Sequence, residues 1–212
     1  MAAKTGNEHF YYGNSPVGYL LNDFWRWSSS DLLNNTQRGI LAEFIVAKAL
    51  DIKTDSPRVE WEPFDLFFRD WLRIEVKSSA YLQSWHNDDD PNSKLRFSIR
   101  PTRAWAESGR SEEARHQSDM YIFCVFTEKD RNRADPLCLD SWEFYPLLTC
   151  ELDKMLTAQQ TISMRTLLHL SPEPFDYASL QDAVLWLASN RTDGEARQRI
   201  EAYRALKRAN ER

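Results

Sequence analysis

In the stretch RIEVKSS, Glu75 and Lys77 lie two residues apart, interleaved with Ile74 and Val76. Side chains alternate along a strand, so the carboxylate and the ammonium would project from one face and the two apolar side chains from the other. Ten residues before Glu75, Asp65 stands alone in the apolar run FDLFF, where a preceding strand would run alongside. A third acid, Glu43, lies in RGILAEFIVAKAL. There Ile40, Glu43, Ala47 and Leu50 recur at helical spacing, so Glu43 interrupts an otherwise apolar face. An unpaired buried carboxylate is costly or stays protonated. Either Glu43 sits at the rim of that face and reaches water, or a cation meets it.

Three converging acids repel one another unless a divalent cation neutralises them. Oxygen donors without Cys or His select a hard ion, Mg2+ or Mn2+. The ammonium of Lys77 would then sit where an attacking water is oriented or a pentavalent phosphate is stabilised. That is the chemistry of metal-assisted phosphodiester hydrolysis. The E-x-K triplet alone says little, because most such pairs are surface ion pairs worth under about 1 kcal/mol. The expectation rests on all four residues together.

The elements that must hold them are legible in outline. Thr36 is a candidate cap for a helix from 37 to 50. Strands are expected at RVEW (58–61), FDLFF (64–68) and LRIEVKSS (72–79), joined by connections short enough for hairpins or a meander. LRFSIR (95–100) is a further strand, followed by a helical or irregular stretch to Ser118. MYIFCVFT (120–127) is apolar throughout, as suits a strand buried on both faces, with Cys124 as a small core side chain. WEFYPLL (142–148) is a strand whose Pro146 places its end at an edge. Residues 176–187 read as an amphipathic helix.

Three parts are expected. Residues 1–35 are an aromatic-rich segment packed on the core as short helices, 36–190 the principal domain, and 191–212 a charged helical tail. The tail carries Ala196, Ile200, Tyr203 and Leu206 on one stripe, to lie on the body or on a second subunit, so a homodimer is a candidate assembly. No apolar run approaches the roughly 18 residues of a membrane span. The first residues show no apolar signal region, so a cytoplasmic location is expected. The three cysteines and four histidines have neither zinc nor triad spacing.

A helix glutamate, a strand aspartate and an E-x-K strand together resemble the PD-(D/E)xK, or restriction-endonuclease-like, superfamily of nucleases. Glu43, Asp65, Glu75 and Lys77 carry the match. FWRWSSSDLLNNTQRGILAEFIVAKAL, the apolar run after SDM, and SWEFYPLLT also resemble stand-alone bacterial proteins with this core, over roughly residues 24–188. The resemblance implies an α/β fold, a mixed central sheet of about four strands flanked by helices in the order α-β-β-β-α-β. It implies one or two Mg2+ ions held by Asp65, Glu75 and the backbone carbonyl of Val76. Glu43 would bind a second metal or a ligand water, and Lys77 would orient or activate the nucleophilic water. Pro63 stands two residues before Asp65, so the proline of the superfamily's name is missing, at a position that varies. Many relatives carry a polar residue on a helix after the E-x-K strand. Gln83 is the match here, and Ser79, on the Glu75/Lys77 face, is a second candidate beside the site.

Net charge is −5, which argues against a protein whose whole surface coats nucleic acid. Lys94 to Arg115 departs from this, with six basic and three acidic residues, so that it carries +3 and the rest −8. Within LRFSIR, Arg96, Ser98 and Arg100 share one face. With Arg103 they are candidate contacts to a DNA backbone, because guanidinium groups grip phosphate bidentately. Asp88, Asp89 and Asp90 read as a mobile acidic loop rather than an extra metal ligand, and most of the many aromatic side chains, the eight tryptophans included, are assigned to core packing rather than to stacking on bases. The reading is a Mg2+- or Mn2+-dependent deoxyribonuclease. The rivals are a catalytically silent binding module with the same fold and a nuclease acting on RNA.

Overall fold

A computed structural model describes residues 2–59, 62–84, 94–103, 105–106, 109–110, 114–156 and 159–189. The chain opens with a two-stranded antiparallel ribbon, β1 (His9–Tyr12) and β2 (Ser15–Leu20), turned at Gly13 with φ +59°. Helix α1 (Leu21–Ser29) follows, started by the Asp23 carboxylate, which accepts from the Leu20 amide at 2.8 Å. No side chain of α1 is buried, and the aromatic residues of this segment lie mostly in water. Where short helices were expected, His9–Tyr12 and Ser15–Leu20 are strands, while Leu21–Ser29 is a helix and Leu33 packs against the core. The segment is half ribbon, and its aromatic side chains find no place under the sheet.

Helix α2 (Asn35–Ala49) starts two residues before the expected point. Its cap is Asn34 rather than Thr36, with Asn34 Oδ1 accepting from the Thr36 amide at 2.9 Å. It ends in a paired C-terminal closure: Asp51, at φ 56°, donates to the Lys48 carbonyl and Ile52 donates to that of Ala47. Strands β3 (Leu66–Phe68) and β4 (Leu72–Ala80) form an antiparallel hairpin with Arg69 and Asp70 both at positive φ. The expected strand at RVEW does not form at Arg58 or Val59, and its last two residues lie outside the described set.

After β4 the resemblance implied a helix, but none occurs among the described residues before β5 (Arg96–Ser98). Trp85 to Ser93, which include Asp88 to Asp90, lie outside them. A short hairpin follows, β6 (Trp105–Ala106) and β7 (Gly109–Arg110), and then β8 (Met120–Phe126) and β9 (Trp142–Leu148). The chain continues through α3 (Thr149–Met155), β10 (Thr161–Ser163), α4 (Met164–Leu170) and α5 (Leu180–Ser189), the last starting four residues later than expected. The charged tail lies outside the described residues.

The central sheet is mixed, in the order β3-β4-β8-β9. β4 and β8 run parallel, with Glu75 beside Tyr121 and Lys77 beside Phe123. The other two pairs are antiparallel. Every residue of β8 is buried, as an inner strand covered on both faces must be. One face packs Ile74, Val76, Ile122 and Cys124 against Ala42 and Val46 of α2 and Val184 of α5. The other packs Phe123 and Val125 against Phe97 of β5, Ile162 of β10, and Leu167 of α4. β5 thus pairs with β10 as a separate ribbon over this second face rather than joining the central sheet. Pro146 sits in the edge strand β9, where a missing amide is tolerated. The architecture is α/β, a mixed sheet flanked by helices.

Candidate active site

β3 begins only at Leu66, so beyond that point β4 has no strand neighbour on this side. Asp65 supplies the continuation. Its amide donates to the Ile74 carbonyl at 3.0 Å, and its Oδ2 accepts from the Val76 amide at 2.7 Å. The carboxylate lies where the next strand residue would have bonded. Peptide groups alternate in direction along a strand, so the Val76 carbonyl turns to the same edge as its amide.

Glu75 and Lys77 stand together on the face of β4 that carries Tyr121 and Phe123 on β8. Lys77 Nζ donates to Glu75 Oε1 at 2.5 Å. Glu43 comes from α2, on the other side of the sheet. It is met by Arg58, which donates through Nε and through Nη2, the latter at 2.8 Å to Oε1. Of the two readings of Glu43, the structure takes the one with a waiting cation, and the Glu43 side chain is only 14% exposed. Arg58 was missed in the sequence because it lay in an expected strand. The apolar helix face broken by one acid was the signal that offered a cation as one of its two readings.

The four residues are close enough to feel one another's charge. Burial pushes the Glu75 carboxyl above its usual range and the charge of Asp65 pushes it further. Lys77 opposes the shift, and Glu43 adds to it. Glu43 is likewise raised, first by burial and also by Asp65, against the pull of Arg58 and Lys77. The Tyr121 hydroxyl is pushed up by burial and by Glu75, and burial raises the Cys124 thiol. A pocket of about 400 Å³ opens beside Glu43 and Asp65, walled by Phe44, Lys53, Arg58 and Phe67.

Among the described residues no three acidic, histidine or cysteine side chains form a ready-made cation cage. Each carboxylate has another partner: Arg58 for Glu43, Lys77 for Glu75, and the Val76 amide for Asp65. The donors are nonetheless all oxygen, and Glu75 is raised first by burial and then by the charge of Asp65. In kind, the residues fit a hard divalent ion at Asp65 and Glu75.

The outer candidates are placed differently. Gln83 is buried and not on a helix. Its Oε1 accepts from Arg38 Nη1 at 3.1 Å and its Nε2 donates to the Ala80 carbonyl. Arg38 was missed altogether. Only 2% exposed, it also donates to Ser78 Oγ, the Leu33 carbonyl and Asn35 Oδ1, and burial lowers its pKa to about 10. It ties the start of α2 to the end of β4, and nothing in the local pattern RGILAEF separates it from a surface arginine. Ser79 is buried two residues beyond Lys77, beside Val125. Arg96 is exposed on the outer side of β5, away from Phe97, and Arg100, exposed two residues beyond β5, donates to Gln160 at 2.8 Å. Arg103 is exposed beyond them. These arginines are not brought to the carboxylates. Of the aromatic side chains expected mostly in the core, Phe97, Phe123, Phe126, Trp142, Phe144 and Tyr145 are buried, while Trp25, Trp27 and Trp71 are exposed.

No helix among the described residues is long and apolar enough to cross a membrane. No match is found among curated proteins. The family described as bacteriophage T4 endonuclease IV matches residues 14–165, a span that includes all four residues of the site and the whole central sheet. This chain belongs to the bacteriophage T4 endonuclease IV family.

Proposed function

We propose that the chain is a metal-dependent deoxyribonuclease of the PD-(D/E)xK type. The observation that carries this reading is the convergence of Asp65, Glu75 and Lys77 at the open edge of β4, with the Asp65 carboxylate on the Val76 amide. The name of the matching family, an endonuclease, supports cleavage within a chain rather than from its ends.

Asp65, Glu75 and the Val76 carbonyl would hold the first Mg2+ or Mn2+. Glu43 would hold a second ion or a ligand water by sharing its carboxylate with Arg58. Bound there, the ion would polarise the phosphate and lower the pKa of a coordinated water. Lys77 Nζ now spends one hydrogen on Glu75, and an ammonium carries three. The remaining two are offered to the attacking water or to a non-bridging phosphate oxygen. Asp65 fixes the edge of β4, so Glu75 and Lys77 keep their spacing while substrate binds. Arg96, Arg100 and Arg103 would grip the backbone at a distance from the scissile bond, over the β5–β10 ribbon.

The purified protein with Mg2+ or Mn2+, given circular DNA in single- and double-stranded form with RNA alongside, tests the reading. Nicked or linearised circles are expected, with Lys77→Ala inactive. Wild-type protein that leaves every substrate intact, and is not stabilised by either ion, would return the chain to the silent binding module.

A further inference from the structure

We propose that Arg58 is a built-in second cation of the site, standing on Glu43 in place of a second metal ion, so that one divalent ion suffices for cleavage. This rests on the metal-dependent nuclease reading and decides between its two roles for Glu43. Both oxygens of the Glu43 carboxylate are met by the one guanidinium, Nε donating to Oε2 and Nη2 to Oε1. Paired contacts of this kind fix the orientation of a carboxylate as well as matching its charge. Against the burial that raises the Glu43 carboxyl, the hydrogen bond from Arg58 is the largest opposing influence, ahead of the charge of Lys77.

Arg58 is also presented where such a charge is useful. It belongs to the irregular stretch 53–59 between α2 and β3, which Ile52 anchors on the core at its start and Pro57 stiffens beside the arginine. It lines the pocket together with Glu43 and Asp65. Lys77 stands on the face of β4 that carries Phe123, and Arg58 on the side of α2, so the two cations flank the edge held by Asp65.

The second ion of a two-metal site neutralises charge on the oxygens of an in-line displacement. A guanidinium can carry that charge permanently, because it stays protonated at every working pH. Arginine clamps on transferring phosphoryl groups do the same work as Mg2+. The charge balance agrees. Ionised, Asp65, Glu75 and Glu43 against Lys77 and Arg58 leave a net −1. One divalent ion turns this to +1, which a single phosphodiester brings to neutrality. A second ion would leave two positive charges unmatched. Glu43 then keeps its lone pairs for a water on the one ion rather than for another metal.

Counting bound Mn2+ by electron paramagnetic resonance tests the inference with a readout separate from cleavage. Wild type should bind one ion per chain. Arg58→Gln removes the charge and frees Glu43, so a second ion should bind, whereas Arg58→Lys keeps the charge and should stay at one. At Mg2+ levels that saturate wild type, Arg58→Gln should cut circular DNA about 100-fold more slowly. Its rate should recover as Mn2+ rises through the range in which the second ion binds. An arginine that only held the loop in place would lower the count when replaced, or unfold the chain, and would not raise it. The wild-type and Arg58→Lys counts stand whether or not Arg58→Gln folds. Two ions on wild type or on Arg58→Lys, or one ion on a folded Arg58→Gln, overturns the inference, while a cleaving wild type leaves the nuclease reading in place. Wild type that binds no ion and cuts nothing removes both.

Discussion

Lys77 is held by the Glu75 carboxylate and feels the charge of Glu43, so its replacement removes the ammonium that the proposed reaction would use. Lys77→Ala should lower the cleavage rate by at least about 100-fold, the loss typical when a donor to developing negative charge is deleted. Its urea midpoint should move little, because the Lys77–Glu75 pair is partly exposed and such pairs contribute modestly. Supercoiled-circle cleavage alongside urea unfolding separates the two effects. Glu75 gives a pH test. Its folded pKa is raised, so the folded state holds the proton more tightly than the unfolded chain. The stabilisation from that proton is full below the ordinary glutamate value and is lost as pH rises through the raised one. With a chelator present, Glu75→Gln should therefore gain thermal midpoint relative to wild type as pH climbs through that window. A difference that is flat with pH would contradict the assigned environment.

Helix α2 and strand β4 carry the site between them, and two contacts hold their relation. Asn34→Ala removes the cap of α2 and should cost about 1 kcal/mol. Arg38→Met should cost more, roughly 2–4 kcal/mol, because Gln83, Ser78 and the Leu33 carbonyl would lose a buried donor together. Both are read from urea unfolding. If Arg38→Met costs no more than the cap variant, the buried guanidinium does not tie α2 to β4. On the second face, Phe123 is fully buried and packs edge-on to Phe97 at 5.1 Å. Phe123→Ala should cost about 3–5 kcal/mol, since neighbours from separate elements cannot close the cavity.

The charge distribution of the chain and its site meet in two further expectations. If Asp65 and Glu75 hold an ion, Mg2+ at about 100 times its dissociation constant should stabilise the fold by about 2.7 kcal/mol. Glu75→Gln or Asp65→Asn should abolish that gain, and an equal shift in the variants would place the ion elsewhere. Arg96 on β5 and Arg100 just beyond it are exposed and do not line the pocket beside Glu43. If they grip phosphate, replacing both by alanine in a Lys77→Ala background should lower the slope of log affinity against log salt by about 2. An unchanged slope would move the backbone path to another surface, such as the pocket beside Lys53 and Arg58.

Residue order alone was enough for α2, for the alternation of β4 that sets Glu75 beside Lys77, and for the doubly buried β8. Each of these is written in short-range periodicity, helical or strand, that a few neighbouring residues reveal. Tertiary structure alone decided the rest. Arg58 reaches Glu43 across 15 residues, Asp65 reaches the Val76 amide across 11, and Arg38 reaches Gln83 across 45. β5 went to β10 rather than to the central sheet, and the N-terminal aromatic side chains were left outside. Such pairings depend on which surfaces are still free once the sheet has assembled, and no local pattern of apolar and polar residues encodes that competition.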